Sequence, residues 1–111
     1  MLIYKILRAD EWAQLQSKGT STGAPIDVAD GYIHISTGEQ VAETLARHFA
    51  GEDGLMLLAL ESEALGTGLL WEPSRGGALF PHLYGPLRLF DVIWSRPIAL
   101  NGAVHELPVL G

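Results

Sequence analysis

One stretch of the chain, residues 71–87, constrains the fold most because proline and glycine recur along its whole length. It reads WEPSRGGALFPHLYGPL and contains three prolines and three glycines. Proline fixes φ and removes a backbone donor, so neither a helix nor a strand pattern is expected to survive here. The stretch is also too aromatic and apolar for a flexible linker. We therefore predict an ordered loop, and ordered loops of this length with ionisable side chains are usually functional.

The residues before this stretch predict alternating strands and helices. Residues 2–7 are apolar, with β-branched and aromatic side chains, which predicts a mostly buried strand. Residues 10–18 have acids at the start and are followed by glycine, which predicts a short helix. Residues 20–31 are rich in turn formers and predict a loop that ends in a turn at Asp30-Gly31.

A strand is predicted at residues 32–36, where apolar and polar side chains alternate. Ile33 and Ile35 point to one face of such a strand, and the residues between them point to the other. If the isoleucines face the core, a stripe of Tyr32, His34 and Ser36 faces the opposite side.

The rest of the chain predicts one more helix and then mostly strands. Ser36-x-x-Glu39 and Thr37-x-x-Gln40 both fit a capping box, so a helix is predicted to begin there in one of two registers. Its apolar stripe consists of Val41, Leu45, His48 and Phe49. Strands are predicted at residues 55–61, 69–72, 89–100 and 104–109. The first of them is expected to be central, and Pro97 in the third indicates an edge or a bulge.

The order of these elements predicts the fold class. The later strands lack crossover helices, so we expect one α+β domain over residues 1–111 with a largely antiparallel or split sheet. Asn101-Gly102 is the best hairpin signal in the chain.

Composition excludes several functional classes. The chain has no cysteine, which excludes disulfides, cysteine-based zinc sites and thiol catalysis. Its net charge of −6 argues against general nucleic-acid binding, which needs a basic face. The apolar N-terminal run is short and is soon followed by charges, and the longest later run, residues 55–60, has the length of a strand. We expect a soluble, cytoplasmic protein without a membrane span.

His34 and Ser36 form the first candidate site. Residues two apart on a strand share a face, so one small molecule would reach both side chains. The alternative is a half-buried polar stripe in which Ser36 only caps the following helix.

The second candidate site lies in residues 71–87. Arg75 has the planar fork that suits a phosphate or another oxyanion, and Gly76-Gly77 would let backbone amides approach the same anion. Glu72, beside Trp71, would act as a base if it is partly desolvated. His82 and Tyr84 flank one leucine and both donate or accept hydrogen bonds. The alternatives are a bracing Glu72–Arg75 ion pair and a His82 and Tyr84 that cap loop carbonyls.

Other chemistry receives little support from the sequence. His48 is expected to be a packed histidine, and His105 is given no role. His34, His82 and Glu72 would make a metal site only by converging in space, and no His-Glu-x-x-His spacing supports one. There is no nucleophile elbow, Walker motif or dinucleotide glycine motif.

Several blocks of the chain resemble a small family of uncharacterised bacterial proteins that is classed as a domain of unknown function. The resemblance covers essentially the whole chain and is most specific in residues 71–77 and 80–87, with further blocks at residues 4–7, 30–37 and 46–49. Some members of that family carry a glutathione-transferase label. The chain gives that label no support, because it is too short for the two-domain enzyme and has no thioredoxin-like motif.

By fold, the resemblance implies a grouping with ADP-ribosyltransferase-like domains, which have a split, mostly antiparallel β core and an NAD-type cleft. His34-x-Ser36 matches the superfamily's His-x-Ser/Thr strand motif for the ribose and nicotinamide side of NAD. The superfamily's catalytic glutamate has Glu72 as its nearest match and Glu106 as a remote one. The implied ligand is NAD or a related nucleotide.

These observations lead to one leading hypothesis and two alternatives. In the first, His34 and Ser36 hold ribose hydroxyls, with Trp71 as a further ligand contact. Tyr84 or His82 contacts the base, Arg75 holds a phosphate, and the carboxylate of Glu72 serves cleavage or transfer at a ribosyl bond. In the second, the chain is a non-catalytic module that binds a small ligand or partner. In the third, residues 71–87 only cover a small core.

Overall fold

The computed structural model describes residues 1–74 and 76–111 of the chain. Its helices are α1 (Ala9–Lys18), α2 (Pro25–Asp30) and α3 (Val41–His48). Its first strands are β1 (Leu2–Leu7), β2 (Thr20–Ser21), β3 (Ile33–His34), β4 (Ser36–Thr37) and β5 (Leu55–Glu61). The later strands are β6 (Leu69–Pro73), β7 (Leu79–Leu83), β8 (Leu87–Arg88), β9 (Val92–Asn101) and β10 (Val104–Glu106). Short 3-10 turns occupy Ser62–Gly68 and Leu89–Asp91.

The strands form two main sheets, and every strand pair in the described residues is antiparallel. One sheet has five strands in the order β10-β9-β5-β1-β4, and the other has three in the order β3-β7-β6. A short β2-β8 pair stands apart. The expected α+β class with antiparallel strands is confirmed at this level.

The core lies on both faces of the five-stranded sheet. Alternation along β1 sends Ile3 and Leu7 into a cluster with Leu15 of α1 and with residues of the three-stranded sheet. Tyr4 and Ile6 enter a second cluster, which α3 covers. Strand β5 contributes to both clusters, which confirms that it is central. Full burial of one such leucine or isoleucine stabilises the fold by about 1.5–3 kcal/mol relative to an exposed position.

The prediction of a loop over residues 71–87 is wrong, because strands β6 and β7 form a hairpin there. Pro73 is tolerated because it ends β6, which is an edge strand. Pro81 lies inside β7, and its carbonyl accepts from the amide of Ile35. A residue's N–H and C=O point to the same side of a strand, so the missing donor of Pro81 faces away from β6. The hairpin ladder is therefore intact despite this proline.

The loop predicted at residues 20–31 is also wrong in part, because it contains the six-residue helix α2. Pro25 occupies the first turn of this helix, where its missing N–H has no cost, and Gly31 ends the helix with a φ of 85°. Both signals are present in the sequence, but the run of turn formers around them conceals the helix.

The predicted strand at residues 32–36 proves to be two short strands in different sheets. Strand β3 pairs with β7, whereas β4 pairs with β1, and the change occurs at Ile35. The prediction that Ile33 and Ile35 face the core is confirmed, because both side chains are buried there. Helix α3 begins only at Val41, and just before it the side chain of Gln40 accepts from the amide of Thr37, which is one half of the predicted Thr37-x-x-Gln40 capping box.

The remaining predictions agree better with the structure. Helix α1 and the hairpin of β9 and β10 lie close to their predicted positions. Pro97 lies in β9 beyond the part that β10 covers, so this segment of β9 is an edge. Within the described part of the chain, no helix is both long and apolar enough to cross a membrane.

Candidate functional site

A cavity of about 640 Å³ is lined by residues of both main sheets and of all three helices. This volume is within the range of small-molecule pockets. Its polar lining comprises Lys5, Arg8, Asp10, Glu11, Asp27, His34, Ser36, Thr44, His48, Ser74 and His82, and its aromatic lining comprises Tyr4, Phe49 and Phe80. His34, Ser36 and His82, three of the candidate residues, therefore meet in one cavity.

Asp27 of α2 is the most connected group in the cavity wall. Its side chain is buried and accepts hydrogen bonds from the amide of Ala24 (2.7 Å), the amide of His34 (3.0 Å) and Nζ of Lys5 (2.8 Å). Nδ1 of His34 lies 2.6 Å from its Oδ1. Burial opposes ionisation, but the hydrogen bond from His34 and the charge of Lys5 outweigh burial and lower the pKa of Asp27 to about 2.

Lys5 is the cationic partner of this carboxylate, and its side chain is also buried. Its Nζ donates to Asp27 and, over 2.9 Å, to the carbonyl of His34. Burial lowers the pKa of Lys5, and the neighbouring Asp27 acts in the opposite direction. One ammonium group thus connects β1 to α2 and β3, in a wall of the cavity.

Sequence analysis did not identify Lys5 or Asp27 as site residues. A lysine in the middle of a strand predicted to be buried is the signal that was available, because such a cation needs a buried acid as partner. The identity of that acid was not readable, because Asp27 lies twenty-two residues away in a segment predicted to be a loop.

His34 is held between two carboxylates of α2. Because Asp27 is ionised, Nδ1 of His34 carries the proton in their 2.6 Å contact. Nε2 lies 3.0 Å from Oδ2 of Asp30. About a third of the His34 side chain is exposed (34%), so a ligand in the cavity can reach the ring.

His82 lies opposite His34 in the register of β3 and β7, and it is almost fully buried. Its Nδ1 is 2.8 Å from Oε1 of Glu72, a diagonal neighbour on β6. No hydrogen bond to its Nε2 is found among the described residues, and the ring lines the cavity. Because Nδ1 donates to the carboxylate of Glu72, Nε2 of the neutral ring is placed to accept a hydrogen bond or a proton from a ligand.

Glu72 holds His82 rather than lining the cavity itself. The hydroxyl of Tyr84 donates to the same Oε1 over 2.8 Å. The hydrogen bonds from Tyr84 and then from His82 lower the pKa of Glu72, and the bond to Glu72 raises the pKa of Tyr84. In this position Glu72 keeps its charge and orients the histidine ring, much as the acid does in a carboxylate–histidine pair.

A cluster of four rings is formed by the two histidines together with Tyr32 and Tyr84. The ring of Tyr32 is stacked on His82 at a centroid distance of 4.1 Å, and it is tilted against His34 at 4.7 Å and Tyr84 at 5.2 Å. Burial raises the pKa of Tyr32, and the negative charge of Asp30 acts in the same direction. This packing holds both imidazoles in place. Tyr32 was predicted as part of the polar stripe but was not named as a site residue.

Ser36 presents its lone pairs to the cavity. Its Oγ lies 3.0 Å from Oγ1 of Thr44, which donates its own proton to the carbonyl of Gln40 over 3.1 Å. Ser36 must then be the donor to Thr44, and its remaining hydrogen-bonding capacity is as an acceptor. Ser36 does not cap α3, so the predicted alternative of a capping serine is wrong.

The other candidates are placed differently. Trp71 and Tyr84 are partly exposed and do not line the cavity, although Tyr84 is connected to it through Glu72 and His82. The predicted phosphate ligand Arg75 lies outside the described residues. Among the residues that the structure describes, no group of three or more metal-ligating side chains is arranged to hold a metal ion.

Arg8, which precedes α1, and residues of α3 also line the cavity. Nε and Nη2 of Arg8 donate to the carboxylate of Glu52 over 2.8 and 3.1 Å, and its guanidinium lies 4.7 Å from the ring centroid of Phe49. His48 lines the cavity as well. The predicted apolar stripe therefore holds for the buried Val41 and Leu45 but not for His48, whose side chain faces the cavity.

Comparison with known proteins gives a family and a fold. A family model described as a protein of unknown function (DUF952) matches residues 6–95, which include every predicted site residue. The crystal structure of protein CC0527 from Caulobacter crescentus matches with a TM-score of 0.92 at 48% identity, over 96% of this chain and 94% of that chain. The solution NMR structure of CC0527 matches with a TM-score of 0.83 at 48% identity, over 94% of this chain and 90% of that one. No curated protein matches the chain significantly.

Proposed function

Since the chain belongs to the DUF952 family, whose function is unknown, we propose that it binds a small ribosyl compound, such as NAD or a related nucleotide, in the cavity between its sheets. The observation that carries this proposal is the meeting of His34, Ser36 and His82 in a cavity of about 640 Å³. The three side chains come from two sheets, and their polar atoms are suited to a ligand with several hydroxyl groups.

Each side chain has a distinct role in this proposal. Ser36 accepts a hydrogen bond from a ligand hydroxyl, because its own proton is directed to Thr44. His34 is the second contact with the ribose: Asp27 fixes the orientation of its ring, and a ribose hydroxyl would share Nε2 with Asp30. His82 offers Nε2 to the ligand and, being braced by Glu72, is suited to transfer a proton in a reaction at the ribosyl bond.

Glu72 enters the proposal as a positioning residue for His82. A carboxylate that stabilises an oxocarbenium ion must lie beside the sugar, whereas Glu72 contacts His82 and Tyr84 and does not line the cavity. Its assignment as the catalytic acid stays a prediction, as do the ligand contacts of Trp71, Arg75 and Tyr84.

We propose further that the fold is of the ADP-ribosyltransferase-like class. The division of the β structure into a five-stranded and a three-stranded antiparallel sheet supports this grouping. So does the position of His34-x-Ser36 at the point where the chain passes from one sheet to the other.

The binding proposal is tested by following the histidine rings by NMR during titration with NAD and with ADP-ribose. We expect the ring signals of His34 and His82 to shift, and that of His105, which does not line the cavity, to stay in place. His82→Ala should weaken binding at least tenfold, and His105→Ala is the matched control. Unchanged signals of His34 and His82 at millimolar concentrations of NAD, of ADP-ribose and of nicotinamide riboside, a ribosyl compound without phosphate, would overturn the proposal.

A second candidate function is a binding module without catalysis, and the position of Glu72 outside the cavity favours it. Measuring nicotinamide release from NAD separates the two functions. An enzyme releases nicotinamide, and the release is lost in His82→Ala. A module binds without releasing nicotinamide, and its Glu72→Gln variant binds as well as the parent chain.

A further inference from the structure

The formal charges around the cavity are predominantly negative. Its described lining contains two permanent cations, Lys5 and Arg8, and three carboxylates, Asp10, Glu11 and Asp27. Lys5 is neutralised by Asp27. The lining alone therefore has an excess of one negative charge when its histidines are neutral.

Three more carboxylates are bound directly to lining side chains. Glu52 binds Arg8, Asp30 contacts His34, and Glu72 contacts His82. Each of these carboxylates cancels, or more than cancels, the positive charge of the side chain that it contacts. That side chain is therefore not available to attract an anionic ligand. Adding the formal charge of Arg75, or protonating one histidine, would still leave the region negative.

The cavity also contains groups that suit a cation by direct contact. The rings of Tyr4 and Phe80 line it beside that of Phe49, which already packs against the guanidinium of Arg8, and aromatic faces attract positive charge. His82 is 3% exposed, and its Nε2 is without a hydrogen-bond partner among the described residues. A ligand group in the cavity would give this nitrogen a hydrogen-bond partner.

From this arrangement we propose that the cavity selects a compact organic cation and discriminates against phosphate groups. The inference rests on the proposed function and narrows its ligand class. Within the ribosyl compounds, it favours a cationic N-ribosyl pyridinium over the dinucleotide. A phosphate in the cavity would face the carboxylates of Asp10, Glu11 and Asp27, while both lining cations are already paired.

The test compares ligands that differ in one charged group at a time. Nicotinamide riboside has a cationic ring and no phosphate, its dihydro form has a neutral ring on the same skeleton, and nicotinamide mononucleotide adds one phosphate. We expect the riboside to bind at least tenfold more tightly than either analogue, and its affinity to fall as salt is added. Equal binding of the dihydro form, or tighter binding of the mononucleotide, would overturn the inference and leave the proposed function standing.

A second pair of probes tests the charge preference apart from the ribose. Choline and 3,3-dimethylbutan-1-ol have nearly the same shape, and only choline is charged. If no ribosyl compound binds, ADP-ribose included, the proposed function fails, and this pair still decides the charge preference. If the NMR signals of the His82 ring shift with choline and not with the alcohol, the result supports the preference for a cation. Equal shifts, or no shift with either, overturn it.

Asp10 provides a variant test outside the histidine network. Asp10→Asn removes one negative charge from the lining and should weaken binding of the riboside by about threefold, as expected for an exposed charge. The same variant should reduce the discrimination against the mononucleotide. Asp53→Asn is the matched control, because Asp53 is exposed and does not line the cavity. If Asp10→Asn and Asp53→Asn changed the affinity for the riboside equally, the result would contradict a local role of the Asp10 charge in the cavity.

Discussion

His34 and His82 are opposite each other across the β3–β7 pair, with ring centroids 5.6 Å apart, and each presents Nδ1 to a carboxylate. The two acids come from different elements, Asp27 from α2 and Glu72 from β6. Two imidazoles with fixed orientation at one cavity wall are a suitable arrangement for binding hydroxyl groups and for moving protons. The predictions below test the network that holds them.

Acid should destabilise the protein through Asp27. Its pKa is lowered from 3.8 to about 2, so the unfolded chain binds the proton more readily between these values. The corresponding stabilisation, about 2 kcal/mol, is fully present above about pH 5 and is lost as the pH falls through 2. Urea unfolding at pH 6, 4, 3 and 2 measures it. Asp27→Asn should make the free energy of unfolding less dependent on pH in this range, and Asp53→Asn should leave the pH dependence unchanged.

Loss of Lys5 should be costly because it leaves Asp27 without its cation. We expect Lys5→Met to lower the free energy of unfolding by about 3–5 kcal/mol, the usual cost of breaking a buried ion pair. Lys18→Met, at the exposed end of α1, should change it by no more than about 0.5 kcal/mol. Denaturant unfolding of the two variants gives the comparison. Equal small effects would show that the buried pair contributes little.

Gly23 should resist substitution more strongly than Gly31. Both have a positive φ, and an alanine at either position costs about 1–2 kcal/mol for that conformation. At Gly23, a Cβ atom would also lie 2.3 Å from Oδ2 of Asp27, whereas at Gly31 nothing lies within 4 Å. Thermal unfolding should therefore show a larger loss for Gly23→Ala. Equal losses would mean that Asp27 moves aside freely.

Tyr84 should control the ionisation of Glu72. Its hydroxyl makes the largest contribution to the lowered pKa of that carboxyl, so Tyr84→Phe should raise the pKa of Glu72 towards 4.5. Carboxyl carbon NMR titration of the variant and the parent measures the change. Tyr32→Phe is the control, because no hydrogen bond joins Tyr32 to Glu72. A Glu72 titration unaffected by Tyr84→Phe would contradict the assignment.

The sequence predicts the class of the fold and part of the site. Alternation at residues 32–36 correctly predicts that Ile33 and Ile35 are buried, but it does not predict that Ser36 is buried as well; His34 and Ser36 both line the cavity. The alternation does not reveal that the chain changes sheets at Ile35, because the pattern of a strand is the same whichever sheet it joins. The loop prediction for residues 71–87 fails because Pro73 and Pro81 lie in strands at positions where their missing donors are not needed.

The Lys5–Asp27 pair and the Glu72–His82–Tyr84 cluster show a second limit. Each depends on side chains brought together by tertiary structure, over twenty-two residues in the first case. Local composition identifies Glu72, His82 and Tyr84 as candidates but does not say which of them faces the ligand. Burial decides that question, since His82 lines the cavity and Glu72 does not.

The passage of residues 33–37 between the sheets has a consequence for ligand binding. One continuous segment is hydrogen-bonded to β7 at one end and to β1 at the other, so it fixes the distance between two walls of the cavity. Opening the cavity would require breaking backbone pairing. The site is therefore preorganised, and a ligand that fits it should bind without a large rearrangement and with little loss of backbone entropy.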